Sequence, residues 1–294
     1  MIRNTEAYMG YLNIENISDF CYKIEMPKNI INLIAEKICL IDESEISGFY
    51  YDFFCFGKAE ETYKKLQQYT DTLDSDKICE LTVLLAFAIR SYDKYKEKNI
   101  SDKVYIDTMK CFSRFINETY KWTGKYTFDR GFWVWRQISL VLFRVGQLEF
   151  EIFNVDENTA EKLNINKGEQ VLNVHIPNDA ICTREQLNLS YKEARDFFKK
   201  YFNKEYEFIC SSWLLGKELG DFIKRDGGIY NFRKDYEVVD YFESDDYLQW
   251  AFDRYSGDIK EFQPKTKLQK AIKIHLLNGG KMTVGTGIIK NKKI

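Results

Sequence analysis

Apolar positions recur at helical spacing through most of the first 140 residues. Ile78, Leu81, Leu85, Ala88, Ile89 and Tyr92 fall on one face of a helix. Tyr105, Phe112, Phe115 and Ile116 form a second stripe, with Ser101 as N-cap and Asp102 in the first turn, where the helix dipole favours an acid. Shorter helices are predicted over 28–40 and 58–69, and the polar run 71–76 reads as a loop.

The period changes near Arg130. The run 131–136 leads into 140–145, and Gly146-Gln147 separates it from Leu148, Glu149, Phe150, Glu151 and Ile152. That pattern predicts a hairpin, with Gly146 supplying the positive φ of the turn and apolar residues alternating with acidic ones in the second arm. In 171–176, Leu172, Val174 and Ile176 share one strand face while Asn173 and His175 share the other. Thr183-Arg184-Glu185-Gln186 then has capping-box spacing and opens a stripe of Leu187, Tyr191, Ala194, Phe198, Tyr201 and Phe202, which predicts a helix. A strand over 207–213, a short helix over 217–224, a strand over 236–242, a helix over 267–277 and a strand over 282–289 follow. Strands alternating with helices predict a layered sheet, and the connection from the His175 strand to the Trp213 strand is long enough for a parallel crossover. The fold class expected is α+β (mixed α/β), with a helical N-terminal domain over 1–135 and a mixed-sheet domain over 136–294.

Composition narrows the function. Hydrophobic residues make up 45% of the 294 and aromatics 16%, enough to build cores and against disorder. Lys plus Arg number 43 against 45 Asp plus Glu, so no basic stripe recommends nucleic acid as partner. No apolar run reaches bilayer length, which reads as no membrane span. The 7 cysteines lack a Cys-x-x-Cys pair and the polar start lacks a leader pattern, which together read as reduced thiols in a cytoplasmic protein. With only 2 histidines, His175 and His275, no zinc-ligand spacing is present.

The segments 129–137, 143–151, 174–177 and 211–215 together resemble bacterial acyltransferase-like proteins that join a helical N-terminal domain to a GNAT-like (N-acetyltransferase) C-terminal domain, and the looser similarity spans nearly the whole chain. The resemblance implies acetyl-CoA or another acyl-CoA as co-substrate and a small amine or alcohol as acceptor, with homodimerisation left open. It would place the pyrophosphate over the start of the helix near Thr183, cradled by Ile176, Asn178, Asp179, Ala180, Ile181, Cys182, Thr183 and Arg184. The usual glycine-containing phosphate loop is replaced there by 177–183, which has no glycine, and Asp179 would repel phosphate.

Acyl transfer needs a base for the nucleophile's proton. His175 is the candidate base, and Glu149 and Glu151 share one face of their strand, so adjacent strands in register would set a carboxylate beside the imidazole. The competing readings are a hydrogen-bonded structural histidine and a solvated glutamate face. Cys182 at a helix start is an alternative acyl acceptor. A non-catalytic ligand-sensing or protein-binding module is the alternative to an enzyme, and a hydrolase lacks its Gly-x-Ser-x-Gly elbow.

Overall fold

The computed structural model describes residues 10–55, 57–252 and 255–289. Two compact units divide the chain, 1–143 and 144–294, and each is taken by itself.

The first unit is built from α1 (Ile14–Lys23), α2 (Lys28–Lys37), α3 (Glu43–Asp52), α4 (Ala59–Thr70), α5 (Ile78–Glu97), α6 (Asp102–Met109), α7 (Cys111–Thr123) and α8 (Gly131–Ile138). α5 is apolar nearly all round at its start, so it is the central helix, packed by α1, α2, α4, α6 and α8. Its first turn is capped from the preceding loop, where the Asp74 carboxylate accepts from the Ile78 and Cys79 amides at 2.8 and 3.1 Å. The stripe through Tyr105 and Phe115 is two helices rather than one, broken at Lys110, with Ser101 capping the first by accepting from Val104 N–H. Residues 131–138, read as the approach to a hairpin, are helical. Val134, Trp135 and Ile138 bury one face of α8 against α4 and α5, and the Arg136 guanidinium lies 4.7 and 4.5 Å from the Trp133 and Trp135 rings. Gly131 permits that approach, since a Cβ there would lie 1.6 Å from Glu80 Oε1.

The sheet runs β1 (Leu142–Val145), β2 (Leu148–Asn154), β3 (Gln170–His175), β4 (Phe208–Ser212), β5 (Glu237–Glu243) and β6 (Thr283–Ile289) in chain order. Across the sheet the order is β1-β2-β3-β4-β6-β5. Gly146, at φ +63°, makes the turn between β1 and β2. β3 and β4 are parallel and joined through α10 (Arg184–Phe202), while β2–β3, β4–β6 and β5–β6 are antiparallel. α9 (Glu157–Leu163) follows β2; α11 (Leu219–Phe222), α12 (Gly228–Arg233), α13 (Asp246–Trp250) and α14 (Lys267–Leu277) follow β4 and β5. Gly285 and Gly287 lie inside β6, and the pairing irregularity is in its partner, between Val238 and Asp240 of β5.

Side-chain alternation separates the two faces of this sheet. Phe150 of β2 and Phe208 of β4 meet the stripe of α10, with the Tyr191 and Phe208 ring centroids 5.5 Å apart. On the other face Val171, Ile209 and Ile288 pack with Val155, Ala160 and Leu163 from α9 and its flank. α9 covers only one end of that face. Beyond it, the residues that continue the same alternation are polar.

Candidate active site

The polar end of that face is assembled by register. Glu149 stands opposite His175 and Glu151 opposite Asn173 across the β2–β3 pair. The imidazole turns from its direct partner to the diagonal one, with Nε2 2.8 Å from Glu151 Oε2. A carboxylate can only accept, so a neutral ring bonded to an ionised Glu151 carries its proton on Nε2 and its basic lone pair on Nδ1. Asn173 Nδ2 lies 3.4 Å from the same Nε2.

Burial decides between the readings of the glutamates. β2 is an interior strand, and Glu149 is 3% and Glu151 7% exposed, so the alternating acids are not a solvated face. The His175 side chain keeps 21% of its surface exposed, enough to meet a substrate.

β3 and β4 pair only at Leu172 with Phe208 and Asn173 with Ile209. Both strands run on, β3 bonded to β2 as far as His175 and β4 bonded to β6 as far as Ser212. The parallel pair therefore opens at its carboxyl end, with His175 at the rim.

The loop leaving that rim is held from two sides. Arg144 Nη1 binds Asp179 Oδ1 at 2.7 Å, and the Ile181 amide donates to Gln147 Oε1 at 2.9 Å. The Ala180 amide donates to the Pro177 carbonyl at 3.0 Å, closing a turn over 177–180. Thr183 caps α10 by accepting from the Gln186 amide at 3.2 Å. Arg144 thus offsets the charge that Asp179 would set before an anion. Arg184 reaches the other way, with Nη1 2.5 Å from Asp235 Oδ1 and Nη2 donating to the Asn231 carbonyl. Ile176, Asn178 and Cys182 lie along the same stretch, and burial pushes the Cys182 thiol up, opposite to what a nucleophile needs. Arg144 and Gln147 escaped the sequence reading because neither sits in a periodic pattern; their roles come from the hairpin turn lying beside this loop.

No group of His, Cys, Asp and Glu among the described residues is arranged to hold a metal ion, and no described helix is long and apolar enough to cross a membrane.

A mixed sheet whose central parallel pair opens at the end, with the crossover helix starting beside the opening, is the layout of GNAT-like acyltransferases. Residues 142–289 match the GNAT-like C-terminal domain and 15–140 the N-acyltransferase N-terminal domain, and the chain belongs to the N-acyltransferase family that joins the two. Among solved structures, an acyltransferase in complex with decanoyl-CoA is 18% identical, with a TM-score of 0.73 over 93% of this chain and 86% of that one. An acyltransferase with decanoyl-CoA and teicoplanin is also 18% identical, with a TM-score of 0.72 over 94% and 88%. A mutant acyltransferase with octanoyl-CoA is 17% identical, with a TM-score of 0.74 over 94% and 88%. At such identity the likeness is one of fold. No curated protein matches the chain.

Proposed function

We propose that the C-terminal unit takes acyl-CoA with its thioester at the opening between β3 and β4 and passes the acyl group to a small acceptor bearing an amine or hydroxyl. The observation that carries this reading is the His175–Glu151 pair at the rim of that opening. Glu151 holds the Nε2 proton, so Nδ1 takes the proton of the nucleophile as the new bond to the acyl carbon forms. The C–S bond breaks, its electron pair leaves on sulfur, and the thiolate is then protonated from the imidazolium or solvent. Glu149, opposite His175, stabilises the imidazolium while it exists.

The start of α10 offers the backbone amides of Arg184 and Glu185, which as first-turn donors have no intrahelical partner, toward an anion. Ile176 and 178–184 form the proposed cradle, with Arg184 acting chiefly as a strut to Asp235. The solved relatives that carry decanoyl-CoA, octanoyl-CoA and teicoplanin support a long acyl chain and a small-molecule acceptor.

The glycine-free loop supports a second reading, a module that senses an acyl-CoA without turning it over. Calorimetric titration with acetyl-CoA and decanoyl-CoA, alongside CoA release for wild type and His175→Ala, separates the two. The enzyme reading expects binding in both proteins and a loss of roughly 10²- to 10⁴-fold in turnover for the variant. Binding without turnover in wild type supports the sensor, and absence of binding by either acyl-CoA sinks both.

A further inference from the structure

Across the opening from His175, the same face of the sheet presents Ser211. The β3–β4 register pairs Asn173 with Ile209, so two residues further along both parallel strands His175 and Ser211 stand level. The β4–β6 register pairs Ser211 with Thr286. Glu149, His175, Ser211 and Thr286 therefore form one transverse row on the face away from α10, interrupted where the strands part, between His175 and Ser211.

The hydroxyl on the far side of that gap is fixed. Ser211 Oγ lies 3.0 Å from Thr286 Oγ1, and Thr286 is 8% exposed while Ser211 is exposed. A strand serine that bonds across to a buried threonine is held in one rotamer, and when it donates to Thr286 both of its lone pairs remain for a ligand.

We propose that Ser211 touches the acceptor in the transfer step, with its Oγ accepting one N–H of a primary amine while His175 Nδ1 accepts the other. Thr286 is a positioning residue that receives the Ser211 proton. The inference rests on the acyl-transfer reading above. An amine tethered by one hydrogen bond rotates about it; one held from both sides of the gap has its lone pair aimed between the strands, where the acyl carbon lies in that reading. The proton facing His175 is transferred and the one facing Ser211 stays on nitrogen as the amide N–H, so the roles balance.

The test uses the full chain with decanoyl-CoA, a series of primary alkylamines and their N-methyl counterparts, comparing wild type, Ser211→Ala, Ser211→Thr and Thr286→Val. A secondary amine has no second N–H for Ser211. Ser211→Ala is expected to leave decanoyl-CoA affinity within about twofold and to lower kcat for primary amines by roughly threefold to tenfold, the worth of one neutral hydrogen bond. The secondary amines should lose little, so the primary-over-secondary preference collapses. Ser211→Thr should restore most of it, and Thr286→Val should fall between. Equal losses on both amine classes, an unchanged kcat, or wild-type binding of decanoyl-CoA with no aminolysis by any primary amine would each overturn the assignment. Failure of wild type to bind decanoyl-CoA would instead overturn the acyl-transfer reading beneath it.

Discussion

Glu80 lies in the first turns of α5 with 1% of its surface exposed, under the start of α8. Burial pushes its carboxyl from the ordinary 4.5 up to about 7, against the opposing pull of the Tyr63 hydroxyl at 2.9 Å and Lys77 Nζ at 3.7 Å. A raised carboxyl binds its proton more tightly folded than unfolded. Its stabilising contribution is therefore complete below the unfolded value and lost as pH rises through about 7. At about 1.4 kcal/mol per tenfold, the whole effect is roughly 3 kcal/mol, most of which falls between pH 5 and pH 8. Glu80→Gln keeps the shape and an acceptor for Tyr63 but cannot ionise. Urea unfolding of both proteins at pH 5, 6, 7 and 8 should show the variant gaining roughly 2 to 3 kcal/mol relative to wild type across that range, with other titrations cancelling in the difference. A pH-independent difference, or one of opposite sign, would refute the reasoning.

Gly131→Ala should cost several kcal/mol or prevent folding, because its Cβ would meet Glu80 Oε1 at 1.6 Å and the Tyr63 hydroxyl at 2.8 Å. Gly48→Ala, with nothing within 4 Å of its Cβ, should gain about 0.5 to 1 kcal/mol as a helix-interior replacement, and thermal melts distinguish the two. Brief iodoacetamide labelling read by mass spectrometry should modify the exposed Cys39 and Cys55 ahead of Cys182, and Cys182→Ala should keep its transfer activity. Glu151→Gln removes the charge that holds His175, so turnover should fall roughly tenfold or more with acyl-CoA affinity unchanged, as calorimetry and CoA release would show.

Much of this architecture was legible in short-range pattern. The 184–202 stripe behind Thr183, the helix over 267–277 and the alternation of 148–152 were each read from the local pattern, and the structure realises all three. α8 was misjudged because Phe132, Trp133, Val134 and Trp135 are apolar in an unbroken run, which carries no period. Its helical state depends on α4 and α5 lying alongside and on Gly131 letting them approach.

By itself the sequence marked the longer helices and most of the strands, though not α8, and, through the period of two, determined that Glu149 and Glu151 share one face while Asn173 and His175 share another. It could not determine which strands are neighbours, because register is decided by contacts between residues far apart in the chain. Only the tertiary structure brought Glu151 to His175, ended the β3–β4 pairing at Asn173 and Ile209, and set Ser211 against Thr286 across from the imidazole. It also decided that the two glutamates are buried rather than solvated.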